Sequence, residues 1–456
     1  MLKIDIMNIH FIAIGGSAMH ALAIALHKKG FKVAGSDDAI FEPSKSALEK
    51  SGILPSNPGW FPEKITRDLD AVILGMHAKK DNPELLKAQE LGIKIYSYPE
   101  FIFEQSKTKT RVVVGGSHGK TTITSMILHV MHYHDRQVDY MVGAQLEGLE
   151  NTIQLNDDND FIVIEGDEYL SSAIDLRPKF HLYEPNIALL SGIAWDHINV
   201  FPTYEDYIEQ FRIFVSKIVN GGILVYNEEE PELKKIVENS TNPIRKHPYH
   251  TPEYYIEDGE TILVTPEGDM PLEIFGKHNL SNLAGAKWVC QHMGVDEEDF
   301  YEAIASFKGA SKRLQKIKES GDFIVFKDFA HSPSKVNASL KAVKEQFQGK
   351  KIIACLELHT FSSLNEDFIT EYKNSLSAAD EAIVFYSSEA VTHKNLKPIS
   401  SAIITSAFGR DDLRIITETA DLENYLKTSN FDNSVLLFMS SGNYGGIDLE
   451  QLVTEL

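Results

Sequence analysis

The run Arg111-Val112-Val113-Val114-Gly115-Gly116-Ser117-His118-Gly119-Lys120-Thr121-Thr122 constrains this chain most. A short β-branched strand ends in glycines and then Gly-Lys-Thr, and a helix-prone stretch follows from Ile123 to His134. Strand, glycine turn and helix in that order gather backbone N–H groups at a helix N-terminus, where they and the helix dipole attract phosphate. The lysine of such a loop reaches the terminal phosphates, and the following hydroxyl suits Mg²⁺. The run therefore predicts a strand–loop–helix unit built to hold ATP or GTP. It departs from the general phosphate-loop pattern, because Val114 stands where that pattern has its first glycine, leaving the tighter Gly-x-x-Gly-Lys-Thr.

A chain of 456 residues holds two to four domains, each able to bury a core. The formal net charge of -22 argues against nucleic acid as a partner, since a phosphate backbone needs a basic face. It leaves room for small anionic substrates met by local basic groups. Cys290 and Cys355 have no second cysteine or histidine at metal-ligand spacing, so both read as buried thiols. Met1 to His10 shows no leader pattern and no apolar run reaches the ~20 residues of a membrane helix, so a cytoplasmic protein without membrane insertion is expected.

The first hundred residues alternate strand and helix. Ile9 to Ile14, Phe31 to Ala34, Ala71 to Leu74 and Ile93 to Tyr96 read as strands, with helices at Met19 to Lys28 and Pro83 to Glu90. This predicts a Rossmann-like parallel sheet. Its first turn, Gly15-Gly16-Ser17, lacks the full Gly-x-Gly-x-x-Gly pattern, which speaks against an NAD-dependent oxidoreductase, although Asp37 sits about twenty residues on. A nucleotide-type ligand with its diphosphate at Gly15–Ser17 is the expectation. Gln105 to Thr110 reads as a linker. A second α/β unit follows, with strands at Asp160 to Ile164, Ile187 to Leu190 and Ile223 to Tyr226, and a helix from Leu280 to Met293. Glu228 to Pro271 reads as decoration. A third unit, again read as a parallel sheet, has strands at Phe323 to Lys327, Lys351 to Leu356, Glu381 to Phe385 and Ser434 to Met439, with a helix from Pro333 to Glu345.

Glu165, Asp167, Glu168 and Asp175 follow the Asp160 to Ile164 strand, where a carboxylate near a phosphate loop can hold Mg²⁺; Glu165, first after the apolar run, is the favoured ligand. His197 of Asp196-His197 ends the next strand and could bind a second ion. Taken with Gly276-Lys277-His278-Asn279-Leu280-Ser281-Asn282, Arg313 and Asp328-Phe329-Ala330-His331, these motifs resemble the Mur ligases, which form amide bonds at the expense of ATP in peptidoglycan assembly.

That resemblance implies an α/β protein of three domains: a Rossmann-like UDP-sugar domain over 1–107, a central P-loop ATPase domain over 108–309, and a Rossmann-like domain for the incoming amine over 310–456. It implies that Gly116, Ser117, His118, Gly119, Lys120, Thr121 and Thr122 meet the ATP phosphates, and that Thr121 and Glu165 hold Mg²⁺. His197 would help hold a second ion, and Lys120, Glu165 and His197 would form the catalytic set. Asn279 and Asn282 would lie beside adenine, Arg313, Asp328 and His331 would close from the third domain, Gly15, Gly16 and Ser17 would meet the UDP diphosphate, and Ser36 and Asp37 the uridine. Arg212 stands near where several members carry a carbamylated lysine, which fits the branch using UDP-N-acetylmuramate directly. Within that branch, Asp167-Glu168-Tyr169, Arg177-Pro178-Lys179-Phe180 and Ser440 to Gly446 favour an enzyme adding L-alanyl-γ-D-glutamyl-meso-diaminopimelate, whereas Leu358-His359-Thr360-Phe361 is closer to one adding L-alanine.

Overall fold

The computed structural model describes residues 7–146, 148–388, 391 and 399–456, so Met1 to Ile6, part of the stretch read for a leader, lie outside the described residues. The chain divides into two compact units.

Unit 1 comprises Met1–Ile193, Ile208–Pro248 and Trp288–Val295 and holds two sheets. The first consists of β1 (Asn8–Ile12), β2 (Lys32–Ser36), β3 (Ala71–Leu74) and β4 (Ile95–Ser97), all parallel in the order β2-β1-β3-β4. Its helices are α1 (Ser17–Lys28), α2 (Ser44–Lys50), α3 (Pro83–Leu91) and α4 (Tyr98–Ser106). Asn82 caps α3 by accepting from the N–H groups of Glu84 and Leu85, and Gly92 ends it in a left-handed conformation. A reciprocal Ser97–Glu100 capping box starts α4.

Helix α4 runs to Ser106, into the stretch read as a linker, and the remainder is tied down rather than loose. The buried Lys109 ammonium lies 3.1 Å from Asp139 Oδ2 and donates to the carbonyls of Asn156 and Asn159. The second sheet follows at once: β5 (Thr110–Gly115), β6 (Asp139–Met141), β7 (Ile153–Gln154), β8 (Phe161–Glu165), β9 (Ile187–Leu190), β10 (Ile223–Asn227) and β11 (Arg245–Tyr249), ordered β11-β10-β9-β5-β8-β6-β7. Strands β10, β9, β5, β8 and β6 are parallel, and β7 is antiparallel to β6. The long α5 (Lys120–Tyr133) follows β5, α6 (Tyr204–Lys217) precedes β10, and α7 (Pro231–Asn239) joins β10 to β11. The interval read as decoration thus contributes a helix and an edge strand to this sheet.

Unit 2 comprises Ala194–Tyr207, Tyr249–Lys287 and Asp296–Leu456. The other half of that interval forms an antiparallel sheet of its own, β12 (Tyr254–Glu257), β13 (Glu260–Thr265) and β14 (Gly268–Leu272). Then come α8 (Lys277–His292), α9 (Glu297–Ile304) and a six-stranded sheet: β15 (Gln315–Ser320), β16 (Phe323–Asp328), β17 (Lys351–Glu357), β18 (Glu381–Phe385), β19 (Arg414–Ile416) and β20 (Ser434–Met439), ordered β15-β16-β20-β17-β18-β19. It is parallel except for β15, which pairs antiparallel with β16, so the expectation of a wholly parallel sheet fails at that edge.

Period-2 alternation sends β17 side chains to two cores. Ile352, Ala354 and Leu356 pack with Leu340 and Val343 of α10 (Pro333–Gln346), while Ile353 and Cys355 pack with Leu436 and Phe438. Cys290 and Cys355 are buried and unbridged, and burial pushes both thiols up. Among the described residues no helix is long and apolar enough to cross a membrane.

Candidate active site

In unit 1 the order β9-β5-β8 brings three strand ends side by side. Gly116 leaves β5 with φ +129, and a Cβ there would stand 2.2 Å from Ser191 Oγ, so only glycine lets the loop pass. Ser117 N donates to Gly192 O at 3.0 Å, and Ser191 Oγ donates to His118 O. Gly119, with φ +80, opens α5, where Thr121 and Thr122 are buried.

The neighbouring strand supplies the acid. Glu165 ends β8 beside Val114 of β5 and is buried. Its Oε1 accepts from Thr121 Oγ1 at 2.8 Å, and its Oε2 accepts from Gly143 N at 2.8 Å. A hydroxyl and a carboxylate meeting beside a loop of backbone N–H groups form the hard oxygen set that suits Mg²⁺, which takes one or two carboxylates and completes its shell with phosphate and water. The residues present fit both the cation and a polyphosphate.

The four acids read together in the sequence have separate partners. Glu168 takes Lys120, whose ammonium also donates to Gly116 O at 2.6 Å. Asp167 pairs with Lys179, and Asp175 with Arg177. Burial pushes the Lys120 ammonium down, but Glu168 and then Asp167 outweigh it and hold its pKa above the ordinary lysine value. Arg212 on α6 reaches Glu209 at 3.0 Å on an exposed face.

The turn after β1 is also in unit 1. Gly15 N donates to Asp37 Oδ2 at 2.7 Å, and the amides of Ala13 and Ile14 donate to Ser36 O. The left-handed residue here is Ala13, with φ 67. Gly16 caps α1, whose first residue is Ser17. Burial, opposed by the Gly15 amide, leaves the Asp37 carboxyl above the usual carboxylate range.

His197 belongs to unit 2, as do Asn279, Asn282, Arg313, Asp328 and His331. His197 has φ 57, and its N–H donates to Asp196 Oδ1 at 2.7 Å. Burial pushes the Asp196 carboxyl up, but Lys335, its Nζ at 3.6 Å, together with His197 and His331 outweighs this and holds it well below the carboxylate range. Burial and then the same ammonium push His331 down to about 4. Tyr372 donates its hydroxyl to His331 O, and the Arg313 guanidinium lies 4.6 Å over the Phe329 ring. Asp328 is buried and accepts from Ser339 Oγ. Asn279 and Asn282 are buried in the first turns of α8, and Asn279 Nδ2 donates to Phe275 O at 3.0 Å.

The structure brings Glu165 and Thr121 together beside Lys120; Glu168, named in the sequence only as one of four acids, and Gly143, Lys335 and Tyr372, which were not named, also make contacts with the named residues. Lys335 stands two residues into a helix that opens with Ser332-Pro333, a visible start signal close behind His331.

These features define the class first: an α/β protein with a Gly-Lys-Thr phosphate loop backed by a carboxylate on the adjacent strand. Residues 8–110 match the Mur ligase family catalytic domain, 114–290 the Mur ligase middle domain, and 312–442 the Mur ligase glutamate ligase domain. A UDP-N-acetylmuramate--L-alanine ligase of Caldicellulosiruptor bescii is 30% identical over 387 residues, 82% of each chain. Two solved structures share the fold at 21% identity: the UDP-N-acetylmuramate-alanine ligase MurC from Thermotoga maritima, with a TM-score of 0.67 over 96% of both chains, and a murein peptide ligase from Psychrobacter arcticus, with a TM-score of 0.66 over 98% of both. The chain belongs to the Mur ligase family. It is therefore an ATP-dependent ligase of peptidoglycan synthesis, with that family's three α/β domains and small-molecule substrates.

Proposed function

We propose that this ligase joins the carboxylate of UDP-N-acetylmuramate to an amino group through an acyl phosphate, and that the amine is L-alanine. The observation that carries the ATP half is the pairing of Thr121 with Glu165 beside Lys120. The amine is supported by the Caldicellulosiruptor relative, which is named for L-alanine and matches four-fifths of the chain. The motif likeness of the sequence leaned the other way, to the tripeptide. That second reading keeps one support, the fold shared over nearly the full length with a murein peptide ligase.

In this reading residues 1–107 take the UDP-sugar, with Gly15, Gly16 and Ser17 at the diphosphate and Ser36 and Asp37 at the uridine. Residues 108–309 take ATP, with Gly116 to Thr122 at the phosphates and Asn279 and Asn282 beside adenine. Residues 310–456 take the amine and contribute Arg313, Asp328 and His331 to the nucleotide. Thr121 and Glu165 would hold one Mg²⁺ and His197 would help hold a second; bound there, the ion would offset charge on the phosphates. A carboxylate is a poor acylating agent. Transfer of the γ-phosphoryl group from ATP to the sugar-borne carboxylate gives an acyl phosphate and ADP, and attack by the amine nitrogen on the acyl carbon then expels phosphate and leaves the amide. Lys120 stabilises charge on the transferring phosphoryl oxygens. A reaction drawing on ATP and a nucleotide-linked sugar fits the cytoplasm.

The test is one assay of ADP release with ATP, Mg²⁺ and UDP-N-acetylmuramate, offering L-alanine and the tripeptide in parallel. Turnover with L-alanine at the higher kcat/KM is expected. Preference for the tripeptide would replace the amine assignment and keep the chemistry. ADP release that ignores UDP-N-acetylmuramate would sink both, and ATP binding without ADP release would mark a non-catalytic sensor.

A further inference from the structure

Asp167 pairs with a lysine that the reaction above does not use, and that lysine reaches across unit 1. The loop after β8 is laced to itself: Phe180 N donates to Asp167 O at 3.1 Å, Lys179 N to Tyr169 O at 2.9 Å, and Ser171 N to Arg177 O at 3.0 Å. Gly166 presses the start of this loop onto β5, where a Cβ would stand 2.8 Å from Val113 Cγ1. From the returning arm of the loop, the Lys179 ammonium meets Asp167 and lies 5.6 Å from the centre of the ring of Tyr98, the first residue of α4. Tyr98 is buried, and the Lys179 side chain is only 14% exposed. Burial pushes the Lys179 ammonium down, but Tyr98 and then Asp167 outweigh it and hold its pKa above the ordinary lysine value. Beside it, Arg177 reaches Glu100 Oε1 at 3.2 Å, and the other oxygen of that carboxylate accepts from Ser97 N at 2.8 Å in the capping box of α4.

Ser97 ends β4. In a parallel sheet the carboxyl ends of the strands share one edge, the edge where open α/β sheets bind ligands. The clasp therefore starts on the edge that carries the Gly15–Ser17 turn and ends on the loop that carries Glu165 and Glu168. Another tie between the two sheets lies at the opposite end of β8: Lys29, which caps α1, reaches Asp157 Oδ1 at 2.6 Å, just ahead of that strand. A buried ion pair is weak evidence for stability. The Lys179–Asp167 pair joins two arms of a loop that backbone bonds already hold, and what it adds is the grip on Tyr98. Phosphoryl transfer has use for such a grip, because the reacting atoms must be held in line at about 3–3.5 Å and a misplacement of about 1 Å can cost ~10²-fold in rate.

We propose that Lys179 is a positioning residue for phosphoryl transfer: through Asp167 and Tyr98, with Arg177 on Glu100 alongside, it sets the carboxyl edge of the first sheet against the carboxyl end of β8, so that the sugar-borne carboxylate meets the γ-phosphoryl group in line. The inference rests on the reading that the first sheet takes the UDP-sugar and the second takes ATP. It deepens that reading by naming the side chain that fixes the separation of the two substrates.

The experiment times single-turnover ADP formation in the full-length protein with ATP, Mg²⁺, UDP-N-acetylmuramate and the preferred amine, and measures KM for ATP and UDP-N-acetylmuramate beside it. Lys179→Met keeps an apolar stem against Tyr98 and loses the ammonium. It should slow the saturated rate at least about tenfold and leave both KM values within about twofold. Lys29→Met cuts the tie at the other end of β8 and should leave the saturated rate within about twofold. An unchanged rate in Lys179→Met, a loss that falls on KM and not on the saturated rate, or an equal loss in Lys29→Met would each overturn the proposal. If Lys179→Met does not fold, Arg177→Met carries the test from the exposed arm of the clasp, with a severalfold slower rate expected and an unchanged rate overturning it. A wild-type protein that forms no ADP with UDP-N-acetylmuramate overturns the functional reading and this inference with it. A wild-type protein that turns over while Lys179→Met keeps pace with it overturns this inference alone.

Discussion

Lys120 and Lys335 each face a carboxylate, and the two arrangements differ. In unit 1, Lys120 is held in direct contact by Glu168 and by Gly116 O, and each nearby acid has a partner of its own. In unit 2, Lys335 stands 3.6 Å from Asp196, beyond hydrogen-bond reach, and its charge is felt by two groups at once, lowering Asp196 and His331 together. The first is a closed arrangement in which the cation is already engaged. The second is open in its spacing to Asp196, and its ammonium acts through space on two titratable groups. A group poised to meet a phosphate can be kept ready by an internal anion, whereas a group that tunes its neighbours acts from a distance.

The largest effect should come from breaking the closed arrangement. Lys120→Ala removes charge stabilisation at the phosphoryl group and should cut kcat by ~10²–10³. It also strands Glu168, at a cost of roughly 3 kcal/mol of stability. Adding Glu168→Gln should restore most of that stability and none of the rate, read by denaturant unfolding beside ADP release. A double variant with wild-type-like turnover would refute the role given to Lys120.

Lys335→Met probes the open arrangement and should cost less, about 1–2 kcal/mol, because the pair is wider and partly solvated. Asp196→Asn in that background should recover most of it, and a loss as large as that of Lys120→Ala would erase the distinction between the two sites.

The smallest effect sharpens a likeness instead. It concerns one histidine in each unit: burial pushes His181 in unit 1 and His331 in unit 2 down to about 4. The unfolded chain takes up a proton near the ordinary value of 6.5 that the folded chain refuses. Stability is therefore fully present above about 6.5 and falls as pH drops toward 4, by about 1.4 kcal/mol per unit for each group. His181→Gln, whose amide nitrogen can take the place of Nε2 and donate to Gln210 O, should narrow the gap between thermal midpoints at pH 7.5 and pH 5, and an unaltered gap would contradict the burial argument.

The contrast also explains what could be read in advance. The phosphate loop was legible because it is local: φ +129 at Gly116 and φ +80 at Gly119 demand glycine, and strand, loop and helix follow in unbroken order. Glu165 was legible as the first residue after an apolar run. Glu168 as the partner of Lys120 was not, because the contact joins residues 48 apart and nothing local separates it from Asp167. Helix α4 was legible and overlooked, since Ser97, Pro99 and Glu100 spell a helix start just past the last strand signal. The antiparallel β15 escaped because its alternation is weak: Gln315–Ser320 is exposed or half-buried throughout, with no apolar face to betray it.

The hold of Glu168 on Lys120 bears on inhibitor discovery. A phosphate mimic aimed at this loop must compete with a tethered carboxylate whose local concentration is fixed by the fold and cannot be diluted away. Fragments carrying strong anions should therefore bind more weakly than they would to an unengaged lysine, and scaffolds that leave the lysine alone and occupy neighbouring backbone donors are the better starting point.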